Sequence, residues 1–179
     1  MNEDDDRITV HRCREGDRAA CEQLVVRYQR PVFNAALRLL RNPEDAKDVA
    51  QTTFLKAFGH LADYDPSFKF YSWIYRIAVN EALTLLGSRK SFEKISGEEA
   101  DEAPGPERQV EGEQLRQAIE DALMEIKVEM RAVIVLRHLL HLSYKDMSDV
   151  LKLPEKTVKS RLYEARQLLR DRLLQRGTI

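Results

Sequence analysis

An all-α fold is predicted, made of two small helical domains joined by a flexible acidic linker, with a helix-turn-helix in a four-helix C-terminal domain. Three observations predict it. Apolar residues recur at helical spacing from about Arg18 to Leu86 and again from Leu115 onward, with no useful strand-like alternation. Between these stretches "SGEEADEAPGPERQVEGE" is polar, acidic and broken by Pro104, Gly105 and Pro106, which reads as a linker. The composition is 33% charged and 43% hydrophobic in 179 residues, which suits one medium or two small helical domains with a real core. The domain boundaries that follow are 1–87, 88–113 and 114–179.

In the first domain the helical stripes are Leu24, Tyr28, Val32, Ala35 and Leu39, then Val49, Phe54 and Phe58, then Phe70, Ile74 and Ile77. Three to four helices fit them. "RNPEDAKD" reads as a helix start, with Asn42 as N-cap, Pro43 at the first helical position and acids in the first turn. "DYDPSF" is a breaker. In the last domain one helix carries Leu115, Ala118, Ile119, Ala122, Leu123 and Ile126, and a second carries Met130, Val133, Ile134, Arg137 and Leu140. Ser143 and Asp146 have capping-box spacing, opening a short helix with Tyr144, Met147 and Leu151 on one face. Leu153-Pro154 separates it from a longer helix that turns Val158, Leu162, Ala165 and Leu169 inward.

Several classes of function find no support. There is no Gly-rich phosphate loop, metal cluster or nucleophile motif, and His11, His60, His138 and His141 are scattered, so neither an enzyme nor a cofactor is expected, and no small-molecule substrate. No apolar run has the length of a membrane span and the N-terminus "MNEDDDR" is acidic, so a cytoplasmic protein is expected. Cys13 and Cys21 are expected to be small, partly buried hydrophobes, since a reducing compartment disfavours a disulfide.

Charge is unevenly distributed. Residues 1–87 carry 12 basic and 13 acidic groups, 88–113 carry 4 and 8, and 114–179 carry 13 and 9. A basic end after an acidic joint points to an anionic partner there. A short helix, a tight turn and a longer basic helix are the parts of a DNA-binding helix-turn-helix. Lys156, Lys159, Ser160, Arg161 and Arg166 surround the inward stripe of the second helix, where they can meet phosphates and base edges.

A second candidate surface lies in "SFKFYSWIYRIAVN", with five aromatics between Phe68 and Tyr75, interleaved Lys69 and Arg76, and Asn80 at its end. On a helix Phe70, Ile74 and Ile77 form a core stripe. Trp73, Arg76 and Asn80 share an adjoining one, and Tyr71 and Tyr75 fall on the other side. Flat rings can stack unstacked bases and an amide can pair with a base edge, so half core and half single-strand platform is expected, with Asn80, Lys69 and Tyr75 most engaged. Asp45, Asp48 and Gln51 form a polar ridge at i, i+3 and i+6, unless they merely favour the helix dipole.

Asp45-Ala-Lys-Asp48-Val-Ala-Gln51-Thr-Thr-Phe54, "FYSWIYRIAVN", "LSYKDMSDVLKLPEKTVKSRLYEAR" and "LVVRYQ", in that arrangement over nearly the full length, resemble the extracytoplasmic-function sigma factors. These are the two-domain branch of the bacterial sigma-70 family, and the likeness is to the envelope-stress, sigma-E-like type. The resemblance implies that 1–87 is region 2, 88–113 the linker and 114–179 region 4. It implies core RNA polymerase as partner, met through the clamp helices of the largest subunit and the flap of the second subunit, with Asp45, Asp48, Gln51 and Phe54 at the clamp helices. Lys56, Lys69, Trp73, Tyr75, Arg76 and Asn80 would read and hold the melted −10 element, and Lys156, Thr157, Lys159, Ser160, Arg161 and Arg166 the duplex −35 element. Promoter DNA, double- and single-stranded, is thus a second partner. An anti-sigma factor, sometimes holding the protein at the inner membrane, is a third, and the acidic linker would thread the RNA channel. Thr52, Thr84, Lys156 and Glu164 depart from the residues usual in the family. The alternative is a stand-alone helix-turn-helix regulator that binds its operator without polymerase.

Overall fold

A computed structural model describes residues 3–96 and 111–178. Among the described residues there are eight α-helices and no strand. They are α1 (Glu3–Arg14), α2 (Arg18–Leu40), α3 (Pro43–Gly59), α4 (Phe70–Ser96), α5 (Glu111–Met124), α6 (Val128–Ile134), α7 (Tyr144–Leu151) and α8 (Glu155–Gln175).

Local chemistry sets the joints. The turn from α1 to α2 passes through Gly16 at φ 90°, a conformation that costs glycine little. Asp17 then caps α2, accepting from the Ala20 amide at 3.2 Å. This turn lays the last turn of α1 against the first of α2 and brings Cys13 and Cys21 to a Cα separation of 4.9 Å, where they are joined in a disulfide. The expectation of two unbonded thiols is corrected: composition predicts compartment, but the hairpin sets proximity. As expected, Asn42 caps α3, its side chain accepting from the Glu44 and Asp45 amides at 3.0 and 3.1 Å with Pro43 in the first turn. After α3 a 3₁₀ turn over Leu61–Asp63 opens the breaker loop that leads to α4.

Helix α4 continues to Ser96, nine residues past the expected domain end at 87. Arg89, Lys90, Glu93 and Lys94 are good helix formers and no proline occurs between Pro66 and Pro104, so charge alone does not stop the helix. The remainder of the expected linker up to residue 110 lies outside the described residues.

The N-terminal core forms around Tyr28 of α2, whose ring meets Phe70 edge-on at 5.5 Å and Tyr75 at 6.3 Å. Its hydroxyl donates to Asp6, a buried carboxylate that also receives the Arg27 guanidinium. A buried acid held this way is satisfied rather than reactive.

In the C-terminal module α6 widens into a π-helical turn over Val135–Leu139, and His141 at φ 55° lets the chain double back. Ser143 and Asp146 form the expected capping box, with the Asp146 amide donating to Ser143 Oγ at 3.1 Å and the Ser143 amide to Asp146 Oδ2 at 3.3 Å. Lys152 takes a left-handed C-cap at φ 52°, and Val158, Leu162 and Ala165 of α8 are buried.

The two modules pack against each other rather than standing apart. A single connected cluster of buried residues runs through both, from Val10 to Ala165. Arg38 and Arg41 at the end of α2 pair with Glu120 and Asp121 of α5. Arg131 is 7% exposed and donates to the carbonyls of Leu123 (2.9 Å), Met124 (3.0 Å) and Ile126 (3.3 Å) and, across the interface, to that of Leu39. Leu39, Leu123 and Met124 end helices, so their carbonyls have no intrahelical partner. One guanidinium supplies what both helix ends lack.

Candidate nucleic-acid interface

Three surfaces carry the residues singled out by sequence. On α3, Asp48 and Gln51 are exposed, and Leu55, one turn further, is 67% exposed among them. The ridge is therefore polar with one exposed apolar residue in it. Two members depart from the expected role. Asp45 is turned toward α4, where Oδ1 accepts from Arg89 at 2.6 Å while Oδ2 is buried without a partner among the described residues. Phe54 is half-buried, its ring 6.1 Å from Phe58. Sequence spacing missed Leu55. The signal was a leucine at i+7 from Asp48, on a helix face otherwise polar.

The second surface is the loop before α4 together with the start of that helix. Lys69, Trp73 and Arg76 come together there. Trp73 lies 5.2 Å from Tyr64 and 5.8 Å from Phe70, and with Tyr64, Phe68, Ser72 and Arg76 it lines a cleft. Phe68 is exposed, and the buried Ser72 hydroxyl has no hydrogen-bond partner among the described residues. Burial pushes the Tyr64 hydroxyl pKa up to about 12, so it stays a neutral donor, given to the Phe68 carbonyl. Asn80 is exposed a turn beyond Arg76, and Lys56 of α3 pairs with the neighbouring Glu81 at 2.6 Å.

Tyr75 is corrected. It is 1% exposed and packs between Tyr28 and Tyr71, so it offers no face to a base in this structure. Burial, then the nearby Asp6 charge, raises its pKa, keeping the phenol neutral. The helical wheel places Tyr71 and Tyr75 on the side away from the Trp73 stripe; that side meets α2 and, for Tyr71, the neighbourhood of the other module. The same crossing brings Lys69 Nζ to 3.3 Å from Asp146 Oδ1 of α7, and to 5.4 Å from the Tyr71 ring. Asp149 of α7 also lines the Trp73 cleft. Burial alone would raise the Asp146 pKa, but hydrogen bonds from Ser143 and the Lys69 charge outweigh it and hold the carboxyl below its ordinary value.

The third surface is the helix-turn-helix. Lys156, Lys159, Ser160 and Arg166 are exposed on α8, and Thr157 and Arg161 are half-exposed. Tyr144 of α7 lies between two cations, with Arg137 and Lys159 each 5.2 Å from its ring centre. Arg166 donates to His138 Nε2 at 3.2 Å, and burial together with the Arg166 and Arg137 charges lowers the His138 pKa, favouring the neutral imidazole that accepts this bond. Tyr163, 67% exposed one turn after Lys159, belongs to the same face and was not singled out by sequence, because a tyrosine at helical spacing reads as core.

With this geometry in place, the comparisons are specific. Residues 24–92 match the family model of Sigma-70 region 2, and residues 116–169 that of Sigma-70, region 4. The chain is 30% identical to the RNA polymerase sigma-H factor of Pseudomonas aeruginosa, over 98% of this chain and 96% of that protein. It is 33% identical to the ECF RNA polymerase sigma-E factor of Escherichia coli K12, over 94% of each chain. Among solved structures, CnrH in complex with the cytosolic domain of CnrY superposes with a TM-score of 0.74 at 28% identity, covering 94% of this chain and 97% of that one. The sigma factor RpoE of Bartonella quintana, solved with the anti-sigma factor NepR, shares the fold at a TM-score of 0.70 and 22% identity, over 85% and 95% of the two chains. Two regions matched in order, on a chain aligned end to end with such relatives, decide the assignment: the chain belongs to the sigma-70 family of RNA polymerase sigma factors, in its extracytoplasmic-function branch.

Proposed function

We propose that this sigma factor docks on core RNA polymerase through Asp48, Gln51 and Leu55 of α3, reads the −35 duplex with the exposed face of α8, and holds melted −10 bases in the Trp73–Arg76 cleft, with Asn80 beside it. Tyr75 acts from the core, fixing the helix that carries Trp73. The two DNA-reading modules function as a pair only after they separate. The observation that carries this reading is the Lys69–Asp146 contact at 3.3 Å, which joins the −10 loop to the first helix of the helix-turn-helix. Promoter elements named for positions −35 and −10 lie about 25 base pairs apart, or roughly 85 Å along B-DNA. Modules held in ionic contact cannot reach both, and in this packed form Asp146 and Asp149 stand where DNA phosphates would otherwise meet Lys69 and Arg76. The packed form is the resting state, and polymerase binding opens it.

The same reading makes the protein a non-enzymatic, cytoplasmic initiation factor working in a stress response. Its relatives CnrH and RpoE are solved with the cytosolic domain of CnrY and with an anti-sigma factor, and a partner of that kind stabilising the packed form fits here. The test is promoter binding by the full chain with and without core polymerase, followed by fluorescence anisotropy. Free protein is expected to bind duplex weakly and with steep salt dependence, and to gain sequence specificity once core enzyme is present. Equal sequence-specific affinity in both conditions would overturn the reading in favour of a stand-alone regulator.

A further inference from the structure

We infer that Cys13 and Cys21 form a reversible oxidation site, a dithiol–disulfide couple through which a peroxide-class oxidant sets how firmly α1 braces the −10 loop. They are the only two cysteines in the chain, eight positions apart, and the disulfide between them ties the last turn of α1 to the start of α2. A protein that works on chromosomal DNA meets a thiol-rich environment, where disulfides are transient and redox-sensing rather than permanent. That step rests on the function proposed above.

Access differs between the two sulfurs. Cys13 is buried and Cys21 is only partly buried, on the first helical turns of α2, where the positive end of the helix favours a thiolate. Oxidation begins when the Cys21 thiolate attacks a peroxide oxygen. The O–O bond breaks, leaving Cys21 as a sulfenic acid, and the departing hydroxide takes up the thiol proton as water. The Cys13 sulfur then attacks the sulfenic sulfur, the S–O bond breaks, and the hydroxide leaves with the Cys13 proton as a second water. Two electrons pass from the dithiol to the peroxide. In the reverse direction a small dithiol reductant becomes its own disulfide and restores both thiols.

The consequence follows from what α1 holds. Arg7 donates to the Pro66 carbonyl at 3.1 Å and Arg14 to that of Ala62 at 3.4 Å, at either end of the loop segment that positions Tyr64 against Trp73. Val10 and Tyr64 line the same open pocket between α1 and the loop. The disulfide is one residue from Arg14, so it fixes the end of α1 on which that brace depends. In the dithiol form this end keeps the Arg12–Asp17 ion pair, while the Asp5 and Asp6 contacts to Arg27 lie two turns away. Reduction therefore loosens the 60–69 loop without unfolding the module.

The test uses the full chain, oxidised with hydrogen peroxide or reduced with dithiothreitol. Thiol titration and mass after alkylation should show two thiols appearing and disappearing together, with the chain remaining monomeric. Amide hydrogen exchange in residues 60–69 should be several-fold faster in the reduced form, and the emission of Trp73, the only tryptophan, should shift with it. Cys13→Ser and Cys21→Ser should both keep the loop exchange and Trp73 emission of the reduced form with or without oxidant, although Cys21 in Cys13→Ser still takes up one oxygen as a sulfenic acid. Thiols that survive peroxide, or a disulfide that forms without changing loop exchange or Trp73 emission, would overturn the proposal. Neither readout involves polymerase, so a failure of the promoter reading would leave them standing and the two failures are distinguishable.

Discussion

Replacing Arg131 by Met removes the buried guanidinium while keeping most of its apolar stem. Four carbonyls, of Leu39, Leu123, Met124 and Ile126, then lose their donor. A buried acceptor left unsatisfied costs about 1–3 kcal/mol. The upper end of that range does not apply to all four sites, because the guanidinium's own desolvation penalty, several kcal/mol, disappears with it. With the four unsatisfied acceptors set against the desolvation penalty that is relieved, the net expectation is a loss of about 3–5 kcal/mol. For a chain of this size that corresponds to a fall in Tm of roughly 6–20 °C. Arg131→Lys should lie between the two, since a point-like ammonium reaches fewer of the carbonyls. Urea denaturation followed by far-ultraviolet circular dichroism measures the difference. A loss below about 1 kcal/mol for Arg131→Met would refute the idea that this side chain closes the ends of α2 and α5.

Three further outcomes are expected. Because the Asp146 carboxyl is depressed in the folded chain, its contribution is complete above the ordinary value of 3.8 and is lost as pH falls through the lower folded value. Acid should thus open the contact with Lys69, as read by Trp73 emission, and Asp146→Asn should remove that component; identical acid profiles for the two proteins would contradict it. Lys159→Ala should weaken −35 recognition by about 1–3 kcal/mol in a promoter-competition assay, and unchanged selectivity would remove Lys159 from the groove. Leu55→Asp should cut affinity for core polymerase at least tenfold while leaving the melting temperature within a few degrees, because Leu55 is exposed; unaltered affinity in a pull-down titration would place the docking surface elsewhere.

Much of this was legible in the residues because it is local. Asn42, Ser143 and Asp146 announce helix starts through hydrogen bonds within two or three positions, which the structure forms, and Pro43 does so through its fixed φ in the first turn. The inward stripe of α8 is equally local, and Val158, Leu162 and Ala165 are buried. What escaped depends on how distant helices cross. Tyr75 and Lys69 sit on one aromatic, cationic stretch, yet packing against α2 buries the first and packing against α7 pairs the second with Asp146. Asp45 looked like part of a free ridge until α4 brought Arg89 beside it. Arg131 gave no signal, since an arginine between apolar residues has the pattern of a solvated position until four carbonyls converge on it. The extension of α4 to Ser96 reflects helix propensity continuing past the point where apolar periodicity fades.

The most direct test of the central claim is in vitro transcription with purified core RNA polymerase on a promoter library, with start sites mapped in the presence and absence of this chain. A set of start sites that depends on the added protein, shares two elements with fixed spacing and disappears with Leu55→Asp is the predicted result. The same start-site pattern with and without the chain would contradict it.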